Sequence, residues 1–356
     1  MRTSGELVAA LLAGSWRQQP RDPTVTPAEL AKITPLLLQS GAGALAWRLI
    51  RNSPLVATPA ANELQQAYRL HAIQAAVHET NIKQVLKLLR AAGVEPLLVK
   101  GWAIARLYPE AGLRPYGDID LCVRPADYAT ARETLRVAGD RYPVDLHEGT
   151  RLLDHHDWDD LFSRSQLEPL DEVPVRVLAP EDHLRVLCFH LLRHGVERPI
   201  GLCDIAVALE EQPADFDWGK CFGGQQKHAD WIRCVIGLAH ELLDADVSRV
   251  PFQLKQQPGW IVKTVLKAWG QSFANHFSQH APINFYVQHP RGLVKALLAR
   301  WPTPIIGTVG VGGSFNRLPR FPYQVGYLFV RSLRFLQGHV GSRVSRPQRA
   351  AGARPL

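Results

Sequence analysis

Apolar positions recur every three or four residues through the first 80 residues, which is the spacing of helices with one buried face. Thr26-Pro-Ala-Glu29 reads as a helix start: Thr at the N-cap, Pro at the first helical position and Glu three residues after the Thr. Leu30, Ile33, Leu37 and Leu38 continue it, and Gly41-Ala-Gly43 breaks the pattern before a second helix through Ala46, Leu49 and Ile50. From Asn62 to Ala92 the apolar set Leu64, Tyr68, Leu70, Ile73, Val77, Ile82, Val85, Leu86 and Leu89 predicts a long helix, with Gly93 as its stop. No internal repeat is present.

The texture changes at Glu95. Leu97-Leu-Val99 is a short apolar run after a turn, as expected of a buried strand, and Lys100-Gly101 leads into a helical segment over 102–108. After a loop over 109–115, Asp118-Ile-Asp-Leu-Cys-Val123 reads as a strand, 125–137 as a helix, and 142–147 and 173–178 as further strands. Pro180 opens a helix through Leu184, Leu187, Cys188 and Leu191, and helical texture persists to about Leu243. Further helices are expected near 294–300 and 324–336, followed by a disordered basic tail over 341–356. The implied organisation is an N-terminal helical region (1–80), a mixed α/β core (81–180), a helical domain (181–290) and a basic C-terminal region (291–356).

Composition narrows the class. A chain of 356 residues with 46% hydrophobic and 21% charged residues has material for about two to three domains, and wholesale disorder is excluded. No apolar run approaches the roughly 20 residues of a bilayer span. Glu6 precedes the first apolar run, which lacks signal-peptide order. Five cysteines, mostly in apolar stretches, point to reduced thiols and a cytoplasmic setting. The net charge of +8 hides an asymmetry: Asp246 is the last acidic residue, and residues 247–356 carry fifteen Lys or Arg. The last third therefore either meets an anionic partner, nucleic acid or membrane surface, or offsets the acidic front of the chain.

Asp118 and Asp120 carry the strongest chemical signal. On a strand their side chains share one face while Ile119 points the other way. Two carboxylates so placed repel unless a cation sits between them, and hard oxygen donors suit Mg2+ or Mn2+ beside substrate phosphates. Asp145 lies 25 residues after Asp120, room for a helix and a return strand that brings a third carboxylate alongside. Lys100-Gly101 sits at the end of the preceding strand, where glycine lets backbone N–H groups approach a phosphate. A solvent-facing strand end rich in Asp is the bland alternative.

The block LLVKGWAIARLYPEAGLRPYGDIDLCV, residues 97–123, resembles a family of bacterial nucleotidyltransferases within the polymerase-beta-like superfamily. The likeness continues through VDLH at 144–147, APEDHLRVLCFHLLRHG at 179–195 and Asp204-Ile-Ala206. It implies an α/β (α+β) fold with a small mixed sheet flanked by helices. The implied activity is transfer of a nucleoside monophosphate from an NTP to a hydroxyl of a small molecule, protein or RNA. It also implies that Asp118, Asp120 and Asp145 hold Mg2+ or Mn2+, with Asp145 as general base. Lys100, Gly101, Arg114, His190 and His194 are the implied nucleotide-binding residues. Lys100 and Arg114 can equally make structural ion pairs, and His147 can meet metal or substrate or be structural. One departure stands out: the superfamily's Gly-Ser or Gly-Gly is Gly101-Trp102 here, with no small hydroxyl for a phosphate. A binding or scaffold protein that keeps the fold but has lost turnover is the alternative from another class.

Other features admit weaker readings. His190 and His194, four apart on a helix near Cys188, suggest a zinc face, but no closing ligand pair follows. The polar run Asp154-His-His-Asp-Trp-Asp-Asp160 is expected to be a solvated loop. Residues 317–335 interleave Arg with Phe and Tyr, a texture for nucleic acid, for an anionic membrane, or for a helix that packs its aromatic face inward with its arginines outward.

Overall fold

A computed structural model describes residues 2–139, 141–149, 153, 157–272 and 301–344, with side chains up to 333. The helix expected near 294–300 and the tail beyond 344 lie outside the described residues.

Four helices open the chain: α1 (Ser4–Leu12), α2 (Pro27–Ser40), α3 (Gly43–Ile50) and α4 (Pro59–Ala91). The capping box at α2 is present, with Glu29 N donating to Thr26 Oγ1 and Thr26 N to Glu29 Oε2, and Thr3 with Glu6 forms another at α1. A five-stranded sheet follows, ordered β3-β2-β1-β5-β4. Its strands are β1 (Leu97–Leu98), β2 (Ile119–Val123), β3 (Val144–Glu148), β4 (Gln166–Leu170) and β5 (Val173–Val177). β2 pairs parallel with β3 through the crossover helix α6 (Tyr128–Ala138), and β1 pairs antiparallel with β2 and parallel with β5. The sheet is thus mixed, as expected. The short helix α5 (Trp102–Ala105) and α7 (Trp158–Arg164) complete this region.

The second helical group comprises α8 (Pro180–Arg193), α9 (Pro199–Glu210), α10 (Trp218–Phe222), α11 (Gln226–Leu243) and α12 (Gly259–Trp269). Then come α13 (Pro304–Gly310) and α14 (Phe321–Val344).

Strand alternation assigns the two sheet faces. Ile119, Leu121 and Val123 pack with Ile82, Val85, Leu86 and Leu89 of α4. Cys122 on the opposite face joins Leu97, Val99, Leu161 and Val186, on the side of α7 and α8. A separate core unites Leu7, Leu11, Ile33 and Leu45 with Leu184, Ile205, Val235 and Val265. The first helices and the later ones therefore share one interior, and α4 joins it to the sheet: Leu64 lies in the helical core and Leu86 in the sheet core. The division expected at 80/81 falls inside this continuous helix.

Candidate functional site

The site forms on the α8-facing side of the sheet, where β2 and β3 run parallel with Asp120 opposite Asp145 and Cys122 opposite His147. Parallel registry with a side-chain period of two puts Asp120, Asp145 and His147 on one face. Asp120 is buried while Asp145 is exposed. The His147 Nε2 atom lies 3.2 Å from Asp145 Oδ2 and 3.6 Å from Asp120 Oδ1. One donor atom from each of the three falls within 4.8 Å of the others, a group that could hold a metal ion.

Lys100 enters from the end of β1. The β1–β2 pairing, extended by the bond from Val99 N to Asp120 O, brings its Nζ to 2.5 Å from Asp120 Oδ1. The next residue, Gly101, turns the chain with φ +59° and ψ −112°. A Cβ there would meet Asp118 O at 3.3 Å, so the turn requires glycine on both counts. Helix α5 beyond it has only four residues, and Trp102 is buried in the sheet core.

Asp118 immediately precedes β2 and is exposed, at the rim of the compact trio rather than within it. Desolvation raises its pKa, the Asp120 charge adds to this and Lys100 opposes it. The buried Asp120 Oδ1, although ion-paired to Lys100, receives no well-directed hydrogen bond. Two oxygen donors and one imidazole, with this underserved carboxylate oxygen, fit a divalent metal ion.

Arg114 serves a different contact. Its Nη2 donates to Asp204 Oδ2 at 2.8 Å and its Nε to both Asp204 oxygens at 3.2 Å, while the Tyr108 hydroxyl donates to Asp204 Oδ1 at 2.8 Å. Burial opposes the guanidinium charge, but the Asp204 carboxylate outweighs it and raises the pKa. The fork of Arg114 is therefore occupied, and it ties the loop before β2 to α9. Asp204 belongs to the Asp204-Ile-Ala206 piece of the likeness, but the sequence assigns it no role of its own. Its signal was a single carboxylate inside the apolar run of α9, which demands a partner.

His190 lies near the C-terminus of α8 and His194 caps it, with ring centroids 4.5 Å apart. Desolvation, then the charges of Lys100, His194 and Arg114, lower the His190 pKa to about 3, although part of its side chain reaches solvent. The Lys100 charge thus reaches His190 and disfavours its imidazolium form. Of the polar run at 154–160, residues 157–160 are described, and Trp158–Asp160 begin α7 rather than continue a loop.

A family model described as an uncharacterised nucleotidyltransferase matches residues 26–145 and again 140–243. The chain belongs to this nucleotidyltransferase family. No curated protein and no solved structure gives a significant match. No described helix is long and apolar enough to cross a membrane.

Proposed function

We propose that the protein transfers a nucleoside monophosphate from an NTP to an acceptor hydroxyl at the face bearing Asp118, Asp120 and Asp145. The observation that carries the reading is the registered Asp120–Asp145 pair with His147, opposite Lys100, in a chain of nucleotidyltransferase family. Asp120, Asp145 and His147, with Asp118 at the rim, would hold Mg2+ or Mn2+, which when bound neutralises triphosphate charge and acidifies a nearby hydroxyl.

Asp145 is exposed and accepts the proton of the attacking hydroxyl. The acceptor oxygen forms a bond to the α-phosphorus as the bond to the bridging oxygen breaks, and pyrophosphate leaves. Lys100 holds Asp120 in the free protein and turns its ammonium toward phosphate when substrate enters. His190, kept neutral, donates a ring N–H to a phosphate oxygen, with His194 beside it. Gly101 shapes the turn that presents Lys100. Arg114 neutralises phosphate only at long range, since its donors face Asp204 and the Pro115 carbonyl.

One observation favours a second reading, binding without turnover: Trp102 sits in the core where related enzymes place a small residue near the phosphate. Calorimetry with each NTP and Mg2+ or Mn2+ separates the two from a protein with no nucleotide site. Metal-dependent NTP binding that Asp118→Ala/Asp120→Ala abolishes supports the site, and pyrophosphate release supports transfer. A folded wild-type chain that binds no NTP with either metal contradicts both.

A further inference from the structure

Helix α14 bears a row of apolar side chains that the described protein leaves largely exposed, although the Phe321 ring stacks on Trp301. Phe321, Val325, Phe329 and Leu333, four residues apart, are 64%, 44%, 66% and 43% exposed. Leu318, just before the helix, is also exposed. Scattered exposed apolar residues are ordinary; a row along one helix face marks an interaction surface. The inner face of α14 is fixed against the region of α13 by glycines. A Cβ on Gly307 would lie 2.9 Å from Gln324 Cα, and on Gly313 2.4 Å from the Tyr323 ring. With Tyr323 and Gln324 turned inward, the helix cannot rotate its apolar row out of solvent.

The expected inward packing of the aromatic face is thus half right: Tyr323 faces inward, whereas Phe321 and Phe329 face out. Arg320 also departs from the expectation, being buried over the Trp260 and Tyr323 rings.

We propose that this outward face of α14 docks the protein on an anionic lipid surface. Charge selects that occupant. No Asp or Glu follows Asp246, fifteen Lys or Arg do, and Arg317 and Arg331 near the row are exposed. An apolar row within a wholly basic segment combines the two signals that hold a helix in the headgroup region, acyl-chain contact and attraction to anionic headgroups. Nucleic acid fits less well, because Val325 and Leu333 offer no stacking surface and the row itself carries no cation. This inference does not depend on the transferase reading.

The test is co-sedimentation of the full chain with vesicles of phosphatidylcholine, alone or mixed with phosphatidylglycerol. The wild type binds the mixed vesicles and partitions far less onto neutral ones. Val325→Glu/Phe329→Glu lowers partitioning by on the order of tenfold or more with Tm unchanged. Arg331→Gln lowers it about fivefold. Failure of the wild type to bind mixed vesicles overturns the proposal, as does undiminished binding by the glutamate variant. A fall in Tm in that variant would assign the face to the chain's own interior. A dimer that the variant dissolves would assign it to a second copy, and RNA binding that the variant abolishes would assign it to RNA. Each of these three also overturns the proposal.

Discussion

Asp204 and Arg114 meet where solvent is nearly excluded, and neither is stable there alone. Removing one member of such a buried pair strands the other charge, at a cost of about 3–5 kcal/mol. Asp204→Ala is expected to destabilise the protein by that amount in urea unfolding, and Tyr108→Phe by about 1 kcal/mol. His183 provides a pH test. It is buried on α8, with its Nε2 unpartnered, and desolvation followed by the charges of Arg106 and Arg114 lowers its pKa from 6.5 to about 3. Between those values the unfolded chain binds a proton that the folded one refuses. Stability is therefore full above about pH 6.5 and falls as pH drops toward 3, by at most about 1.4 kcal/mol per pH unit for this group. His183→Gln is expected to flatten part of that slope in denaturation curves measured across the window. An unchanged slope would contradict the assignment.

At the scale of elements, Gly101 matters more than its size suggests. Gly101→Ala places a Cβ at positive φ against Asp118 O, and is expected to cost about 1–2 kcal/mol while shifting Lys100 from Asp120. Weakened NTP binding with little change in far-UV circular dichroism would be the readout. The elements that build this site were legible because their signals are local. β2 is an apolar run broken by Asp120, with Asp118 two residues before it; β3 alternates Val144 and Leu146 with Asp145 and His147; and the long α4 keeps its period of three to four. What sequence did not reveal has physical causes. β4 is an edge strand containing Pro169, with Leu167 exposed, so it shows no apolar run. The start of α7 resembles a loop because Asp157–Asp160 is polar, yet Leu161 and Trp158 anchor it to the sheet. Asp204 looked like part of a helix pattern; only the fold brings Arg114, 90 residues earlier, to meet it.

At the scale of the molecule, α4 contributes side chains to both the helical core and the sheet core. The five cysteines are all free and buried, consistent with an interior built from packing rather than crosslinks. Two features share this frame. The Asp120–Asp145–His147 trio on β2 and β3 faces α8, while the apolar row of α14 lies on a separate helix packed against α13. The central claim is that the trio takes a divalent ion together with an NTP. Electron paramagnetic resonance of Mn2+ titrated with the protein and ATP tests it most directly. The account predicts that the free Mn2+ signal falls with the wild type below what ATP alone leaves, that nitrogen coupling from His147 appears and is lost in His147→Gln, and that Asp120→Asn restores the free signal toward the level ATP alone leaves. A free Mn2+ signal that a folded wild-type protein does not reduce beyond the effect of ATP alone would contradict it.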